Sequence, residues 1–355
     1  MAEAGTRRGR VVALLANFCW VNLDQPGPDD RRRLLCTRRT RLAKGGQSIC
    51  VGDWVQVEGI DWTAARAAVA AVEPRQRSLE RPPVANITRV VVVVALAEPE
   101  LDPLQLTRFL ITAEASGAAV ELVFSKADLL PEARVAAWLQ RAAAWGYDPV
   151  ALSSASGAGV AALQQRLGSP GLAVLCGPSG VGKSSLLNAL IPQLELRVAA
   201  VSGRLQRGRH TTRHVELFEL APGALLADTP GFNRPALPLE SEALAVCFPE
   251  LRRQLSQQPC QFADCRHQGD PGCAMGLGWD RQELYGQCLD DLLEAARRRP
   301  QGQRQAEAGS LRQRGGRLEP RLAAQYRQPS RRGRRQQTRQ QTAAELNRPD
   351  PEDSD

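Results

Sequence analysis

The run GPSGVGKSS at 177–185 holds the first residues whose types and spacing could do chemistry. It fits the pattern G-x-x-x-x-G-K-[ST], after an apolar LAVLC and before SLLNAL with helical periodicity. That strand–loop–helix context is the one the pattern requires. Gly177 and Gly182 would let backbone N–H groups approach phosphates, and the helix start adds the positive end of its dipole. Lys183 would reach the β- and γ-phosphates, and the Ser184 hydroxyl would ligate Mg²⁺. The whole loop is expected to hold a nucleoside triphosphate: Gly177, Pro178, Ser179, Gly180, Val181, Gly182, Lys183, Ser184 and Ser185.

A second stretch, LLADTPGF at 225–232, is an apolar strand that ends in Asp-x-x-Gly. Asp228 would hold Mg²⁺, and the Gly231 N–H would face the γ-phosphate. Between the two lies SGRLQRGRHTTRHVEL, where Thr211 or Thr212 would complete the metal's shell. The expected Mg²⁺ set is therefore Ser184, Asp228 and one of Thr211 and Thr212. Phe232 stands after DTPG where Ras-like proteins place a water-positioning Gln, and an apolar side chain cannot orient water. His210 is then either solvated loop surface or the group that orients the attacking water; His214 reads as solvated surface.

FSKADL at 124–129 ends an apolar strand, and the next strand ends in LSSAS at 152–156. A G domain presents its two base-binding loops at those places. Asp128 would accept hydrogen bonds from the guanine N1–H and N2 amine, a pairing adenine cannot supply. The Lys126 stem would cover the base, and Ser153 and Ser154 would lend backbone N–H groups to O6. Ser125 stands where the usual Asn-x-x-Asp loop has Asn, so the loop is expected to be held less firmly. Base loops that precede the phosphate loop imply a circular permutation, which compact domains tolerate because their termini often lie close together.

CQFADCRHQGDPGC places Cys260, Cys265, His267 and Cys273 within fourteen residues. Three thiolates and one imidazole complete a tetrahedral shell, a closed structural zinc site without a position for water. Cys19, Cys36, Cys50, Cys176, Cys247 and Cys288 show no partner pattern and are expected to be buried or neutral thiols.

The elements that must position these residues differ along the chain. Residues 10–80 read as short strands with Arg-rich edges at 31–33 and 38–41, a small barrel of the OB type with an SH3-like barrel as the alternative. From 88 the β-branched run RVVVVVAL marks a strand covered on both faces, and strands alternate with helical stretches to about 191. That is an α/β pattern. A helical, cysteine-bearing segment follows from about 240, and beyond 297 the chain is rich in Arg, Gln and Gly with almost no core-forming residues. Such a tail is expected to be disordered. The organisation expected is a flexible stretch at 1–9, an OB-fold at 10–80, a permuted GTPase domain at 81–240, a helical zinc domain at 241–297 and a basic tail at 298–355.

With 355 residues, 43% hydrophobic, a net charge of +8 and a pI near 9.3, the chain fits a folded body with a basic extension. That charge favours an acidic partner such as RNA. No apolar run reaches membrane-spanning length, nothing at the start reads as a secretory signal, and nine cysteines suit a reducing cytosol. A cytoplasmic monomer is the simplest expectation.

Together VGDWV, GPSGVGKSSLLN, GRHTTRHVEL, DTPGF and the C-x4-C-x-H-x5-C pattern resemble the circularly permuted GTPases of small ribosomal subunit biogenesis, the RsgA (YjeQ) family. The resemblance covers roughly residues 10–295. It implies an OB-fold, a GTPase domain and a helical domain with one zinc per chain. It also implies GTP hydrolysis to GDP and phosphate, stimulated by the small subunit and tied to its release, with rRNA as the surface bound. His210 matches the histidine proposed in that family to replace the missing Gln. Ser125 and the tail depart from the family's pattern. An RNA-binding factor that uses GTP mainly as a ligand is the alternative, and an ATPase or kinase is opposed by Asp128.

Overall fold

The computed structural model describes residues 2–3, 5–38, 48–80, 82–194, 215–228, 235, 237, 241–298, 311–314 and 317–320. The chain divides into two compact units, residues 1–292 and 293–355.

The first unit begins with β1 (Ala2–Glu3), β2 (Arg7–Leu14), β3 (Phe18–Leu23), β4 (Arg33–Arg38), β5 (Trp54–Asp61) and β6 (Arg66–Val72). Strand β2 pairs with both β3 and β5, which closes a ring in the order β2–β3–β4–β6–β5, parallel only between β4 and β6. This is a five-stranded barrel of the OB type. Alternate residues point inward, so Val11, Cys19, Val21, Leu34, Cys36, Val55, Val57 and Val69 fill it. Within the first nine residues, expected to be flexible, two segments belong to this sheet instead: Ala2 pairs with Asp61, and Arg7 with Val57. The Arg8 side chain there is tied down, bonding Glu73 at 2.9 Å and Asp24 at 2.9 Å.

VGDWV joins the barrel to the hairpin formed by β7 (Ser78–Glu80) and β8 (Pro83–Ala85). The Asp53 carboxylate, fully buried, takes Arg75 at 2.8 and 3.0 Å and the Cys50 N–H at 2.7 Å. Gly52 has φ +89°, and a Cβ there would lie 2.1 Å from the Ala85 carbonyl. Only glycine allows that approach to the hairpin. Arg10 donates to Gly52 O and Asn86 O, and burial lowers its pKa to about 10.

A second sheet is built from β9 (Arg89–Ala95), β10 (Ala119–Ser125), β11 (Val150–Ala151), β12 (Gly171–Cys176), β13 (Glu216–Ala221) and β14 (Ala224–Asp228). Their spatial order is β13–β14–β12–β9–β10–β11, with β13 alone antiparallel. Counting from β12 as the first strand, the order reads 2-3-1-4-5-6, so the chain enters this sheet at its fourth strand. The expected permutation is thus visible in the topology.

Strand β9 shows why its valines are unbroken. Val90, Val92 and Val94 face a core shared with α1 (Pro103–Ala115) and α2 (Glu132–Ala144). Val91, Val93 and Ala95 face the opposite core, with α3 (Val160–Leu167) and α4 (Lys183–Leu190). Helix α1 starts at Asp102, which caps the Leu104 and Gln105 N–H groups at 2.9 and 3.2 Å ahead of Pro103. Such a cap is worth about 1 kcal/mol.

The barrel joins this sheet where Ala13 of β2 pairs with Glu216 of β13. Arg33, stacked over Trp20, reaches the same Glu216 at 3.5 Å. Beyond 240 come α5 (Pro249–Gln257) and α6 (Gln282–Arg298). They dock on the α1–α2 face around Arg281, which is fully buried and grips Glu250 at 2.7 and 2.5 Å between Trp145 and Phe248.

In the second unit, β15 (Leu311–Arg314) and β16 (Arg317–Pro320) pair as antiparallel strands inside the stretch whose composition predicts no structure. The rest of the tail beyond 300 lies outside the described residues.

Candidate nucleotide site and metal centre

Strands β9, β10, β11, β12 and β14 run parallel, so the loops after them gather at one edge of the sheet, where α/β proteins bind ligands. The phosphate loop follows β12. Gly177 has φ +142°, and a Cβ on it would meet the Val93 carbonyl at 2.0 Å. Its backbone therefore passes the neighbouring strand at a distance no side chain permits. Gly182, at φ +90°, turns the chain into α4, and its carbonyl accepts the Leu186 N–H. Lys183 lies across the loop and donates to the Gly177 and Pro178 carbonyls at 2.8 and 2.6 Å. Ser184 is exposed, Ser179 is exposed and Ser185 is half-buried.

The base-loop residues come to the same edge. Lys126 has a left-handed backbone (φ 54°, ψ 38°), uncommon outside glycine, and its ammonium donates to the Glu98 carbonyl. Asp128 sits in the short 3-10 turn Ala127–Leu129 and is exposed. The Ala127 N–H donates to Leu152 O at 3.1 Å, which ties FSKADL to LSSAS. Within LSSAS, the buried Ser153 gives its N–H to Ala158 O at 2.9 Å, and its Oγ accepts from the Ser156 N–H. Both serines are expected to lend N–H groups to the base; the Ser153 N–H is taken up within its own loop.

Ser125 is the residue whose role the sequence obscured. It is 2% exposed, and its Oγ lies 2.6 Å from the Val181 carbonyl and 3.2 Å from the Val94 carbonyl. The hydroxyl joins the base loop directly to the phosphate loop, a tie the sequence reading did not include. No sequence signal pairs residues 125 and 181, because the contact is made to a backbone carbonyl.

Asp228 ends β14 beside β12, in register with Glu216, so its backbone stands next to the phosphate-loop strand. His210, Thr211, Thr212, His214, Gly231 and Phe232 lie outside the described residues.

The cysteine–histidine cluster is a knuckle between α5 and α6. The Cys260, Cys265 and Cys273 sulfurs lie 3.5, 3.6 and 3.7 Å from His267 Nδ1, and all four ligand atoms fall within 4.8 Å of one another. Tetrahedral Zn–S and Zn–N bonds of about 2.3 and 2.0 Å put sulfur and nitrogen about 3.5 Å apart, so the residues fit a zinc ion. His267 is buried at φ 58° with its ring edge-on to Tyr285. Asp270 braces the turn by accepting the Arg266 and Gln268 N–H groups at 3.1 and 3.2 Å, a supporting role no spacing rule announced. Burial, with Cys260 and Cys273 alongside, pushes the Cys265 thiol up to about 12, and a bound cation would favour its thiolate. The other six cysteines are buried; burial lifts Cys36 and Cys247 to about 12 and Cys19 and Cys288 to about 11.

Of the barrel's arginines, several are already engaged. Arg31 donates to Trp62 O, and Arg38 donates to Leu15 O and Ala16 O at 3.2 and 3.3 Å. Among the described residues, no helix is long and apolar enough to cross a membrane.

Residues 72–238 match the family model described as RsgA GTPase. The chain is 58% identical over 281 residues to a small ribosomal subunit biogenesis GTPase RsgA from Synechococcus sp. (strain CC9605), covering 79% of this chain and 92% of that one. It is 47% identical over 324 residues to the protein of that name from Synechocystis sp. (strain ATCC 27184 / PCC 6803 / Kazusa), covering 86% and 85%. Among solved structures, YjeQ from Thermotoga maritima superposes with a TM-score of 0.69 at 29% identity, covering 81% of this chain and 99% of that one. YloQ, described as a circularly permuted GTPase, gives 0.67 at 27%, covering 82% and 96%.

Proposed function

The chain belongs to the RsgA GTPase family, and on that premise we propose that it binds small ribosomal subunits and hydrolyses GTP during their biogenesis, stimulated by the subunit it acts on. The observation that carries the reading is the meeting of a guanine-type loop and a phosphate loop at one sheet edge, in permuted order, joined through Ser125 and Val181.

In this reading Asp128 accepts from the guanine N1–H and N2 amine, Lys126 covers the base, and the Ser154 N–H faces O6. The loop amides from Gly177 to Ser185, with Lys183, cradle the phosphates. On nucleotide binding the Lys183 ammonium exchanges its two carbonyl partners for phosphate oxygens, a stronger charge-assisted contact. Mg²⁺ accompanies the nucleotide, and Ser184, Asp228 and one of Thr211 and Thr212 would hold it. His210 orients water, because Phe232 cannot; Gly231 faces the γ-phosphate. Cys260, Cys265, His267 and Cys273 hold one structural zinc, whose part is to fix the knuckle rather than to act on GTP.

The OB barrel and the zinc domain, within the bounds 10–80 and 241–297, supply the rRNA-binding surfaces, with GDP and phosphate as products and a cytoplasmic monomer as the working form. Replacement of Asp128 by Asn tests the base reading: GTP affinity should fall at least tenfold and xanthosine triphosphate should become the better ligand. Unchanged GTP preference would remove this loop from base recognition.

A further inference from the structure

We propose that Ser125 clamps the base loop to the phosphate loop and, its single proton spent there, leaves the N7 edge of guanine unread. The proposal rests on the guanine reading above and adds a specificity to it. Ser125 is the last residue of β10, 2% exposed, and both neighbours of its Oγ are carbonyl oxygens, Val181 at 2.6 Å and Val94 at 3.2 Å. A hydroxyl has one proton to donate, and the shorter contact assigns it to Val181. What remains on Oγ is acceptor capacity.

Guanine presents N7 and O6 as acceptors on that edge, so an oxygen without a free proton makes no hydrogen bond to either. An Asn side chain carries two N–H donors and can serve a carbonyl and a base together. The substitution therefore keeps the tie between loops and gives up a base contact. The tie itself is tight: Val181 is 1% exposed and lies between Gly180 (φ +82°) and Gly182 (φ +90°), whose backbone freedom would otherwise let its carbonyl swing. Leu96 N–H donating to Ser125 O at 3.1 Å fixes the serine's own backbone against β9.

The consequence is a tolerance for guanine nucleotides altered at position 7. The test measures binding of GTP, 7-deaza-GTP and xanthosine triphosphate to the full chain by displacement of a fluorescent GDP. 7-deaza-GTP should bind within about twofold of GTP, whereas a lost neutral hydrogen bond costs roughly two- to tenfold. A loss greater than twofold would overturn the unread edge. Xanthosine triphosphate binding as tightly as GTP would instead sink the guanine reading beneath it.

Ser125→Ala should weaken GTP and 7-deaza-GTP alike, by about tenfold, because a buried carbonyl loses its donor. Affinity equal to wild type would overturn the clamp. Ser125→Asn should bind 7-deaza-GTP more weakly than GTP, and an unchanged ratio would count against the donor argument. If the Ala variant fails to fold, the comparison of triphosphates on the wild-type chain still decides the matter.

Discussion

Replacing Arg281 should loosen the docking of the zinc-bearing segment more than any surface change could. Its guanidinium is fully buried, holds Glu250 through two hydrogen bonds of 2.7 and 2.5 Å, and lies 4.6 Å from the ring centres of both Trp145 and Phe248. Arg281→Met keeps much of the aliphatic volume but leaves the Glu250 carboxylate buried beside apolar rings. Breaking one partner of a buried pair costs about 3–5 kcal/mol. At roughly 2–4 °C per kcal/mol for a domain of 150–250 residues, the midpoint of thermal unfolding should drop by about 6–20 °C. Arg281→Met combined with Glu250→Met should recover part of the loss, because two well-packed apolar groups replace a pair with a large desolvation cost. The assay is calorimetry of the full chain with zinc bound, beside the two single variants and the double. A single variant within about 2 °C of wild type, or a double variant no better than Arg281→Met, would refute the claim that this pair organises the seam.

Other consequences arise from the same geometry. Cys265→Ser should reduce bound zinc from one per chain toward zero and expose residues 258–281 to proteolysis, with GTP affinity within about twofold of wild type because the knuckle supplies no nucleotide contact. His210→Ala should lower GTP turnover by about one hundred-fold or more, on the order of a general-base contribution, with little change in GTP affinity. The Asp280 carboxyl is held below its usual range by its hydrogen bonds to Arg141, 2.8 and 2.9 Å, and by Trp145. A depressed carboxyl stabilises above its unfolded pKa and stops doing so as pH falls through the folded value. Asp280→Asn should therefore melt earlier than wild type at about pH 7, and the gap should close in acid.

Much of this molecule is legible in its sequence, and for identifiable reasons. The phosphate-loop motif, the cysteine–histidine cluster and the uninterrupted valines of β9 are local patterns, each imposed by one kind of physics on adjacent residues. The permutation is legible too, because it is a matter of motif order. Contacts between distant residues through the backbone are not. Ser125 reaches a carbonyl 56 positions away, and Ser153 gives its N–H to its own loop. Arg281 looks like any arginine until Glu250, Trp145 and Phe248 surround it. Arg31 and Arg38 stand in the sequence simply as members of Arg-rich edges, and nothing there announces that their guanidiniums donate to the Trp62, Leu15 and Ala16 carbonyls. VGDWV, a recognition signature in the sequence, turns out to be a junction, with Gly52 pressed on Ala85 and Asp53 neutralised by Arg75.

The central claim is that a guanine nucleotide is hydrolysed in response to the small ribosomal subunit, and multiple-turnover GTP hydrolysis with and without purified small subunits tests it most directly. The account predicts slow turnover by the chain alone and an increase of at least tenfold when subunits are added, lost in Lys183→Ala. Turnover that stays the same over a range of subunit concentrations, with GTP bound throughout, would contradict it and leave an RNA-binding factor that uses GTP as a ligand.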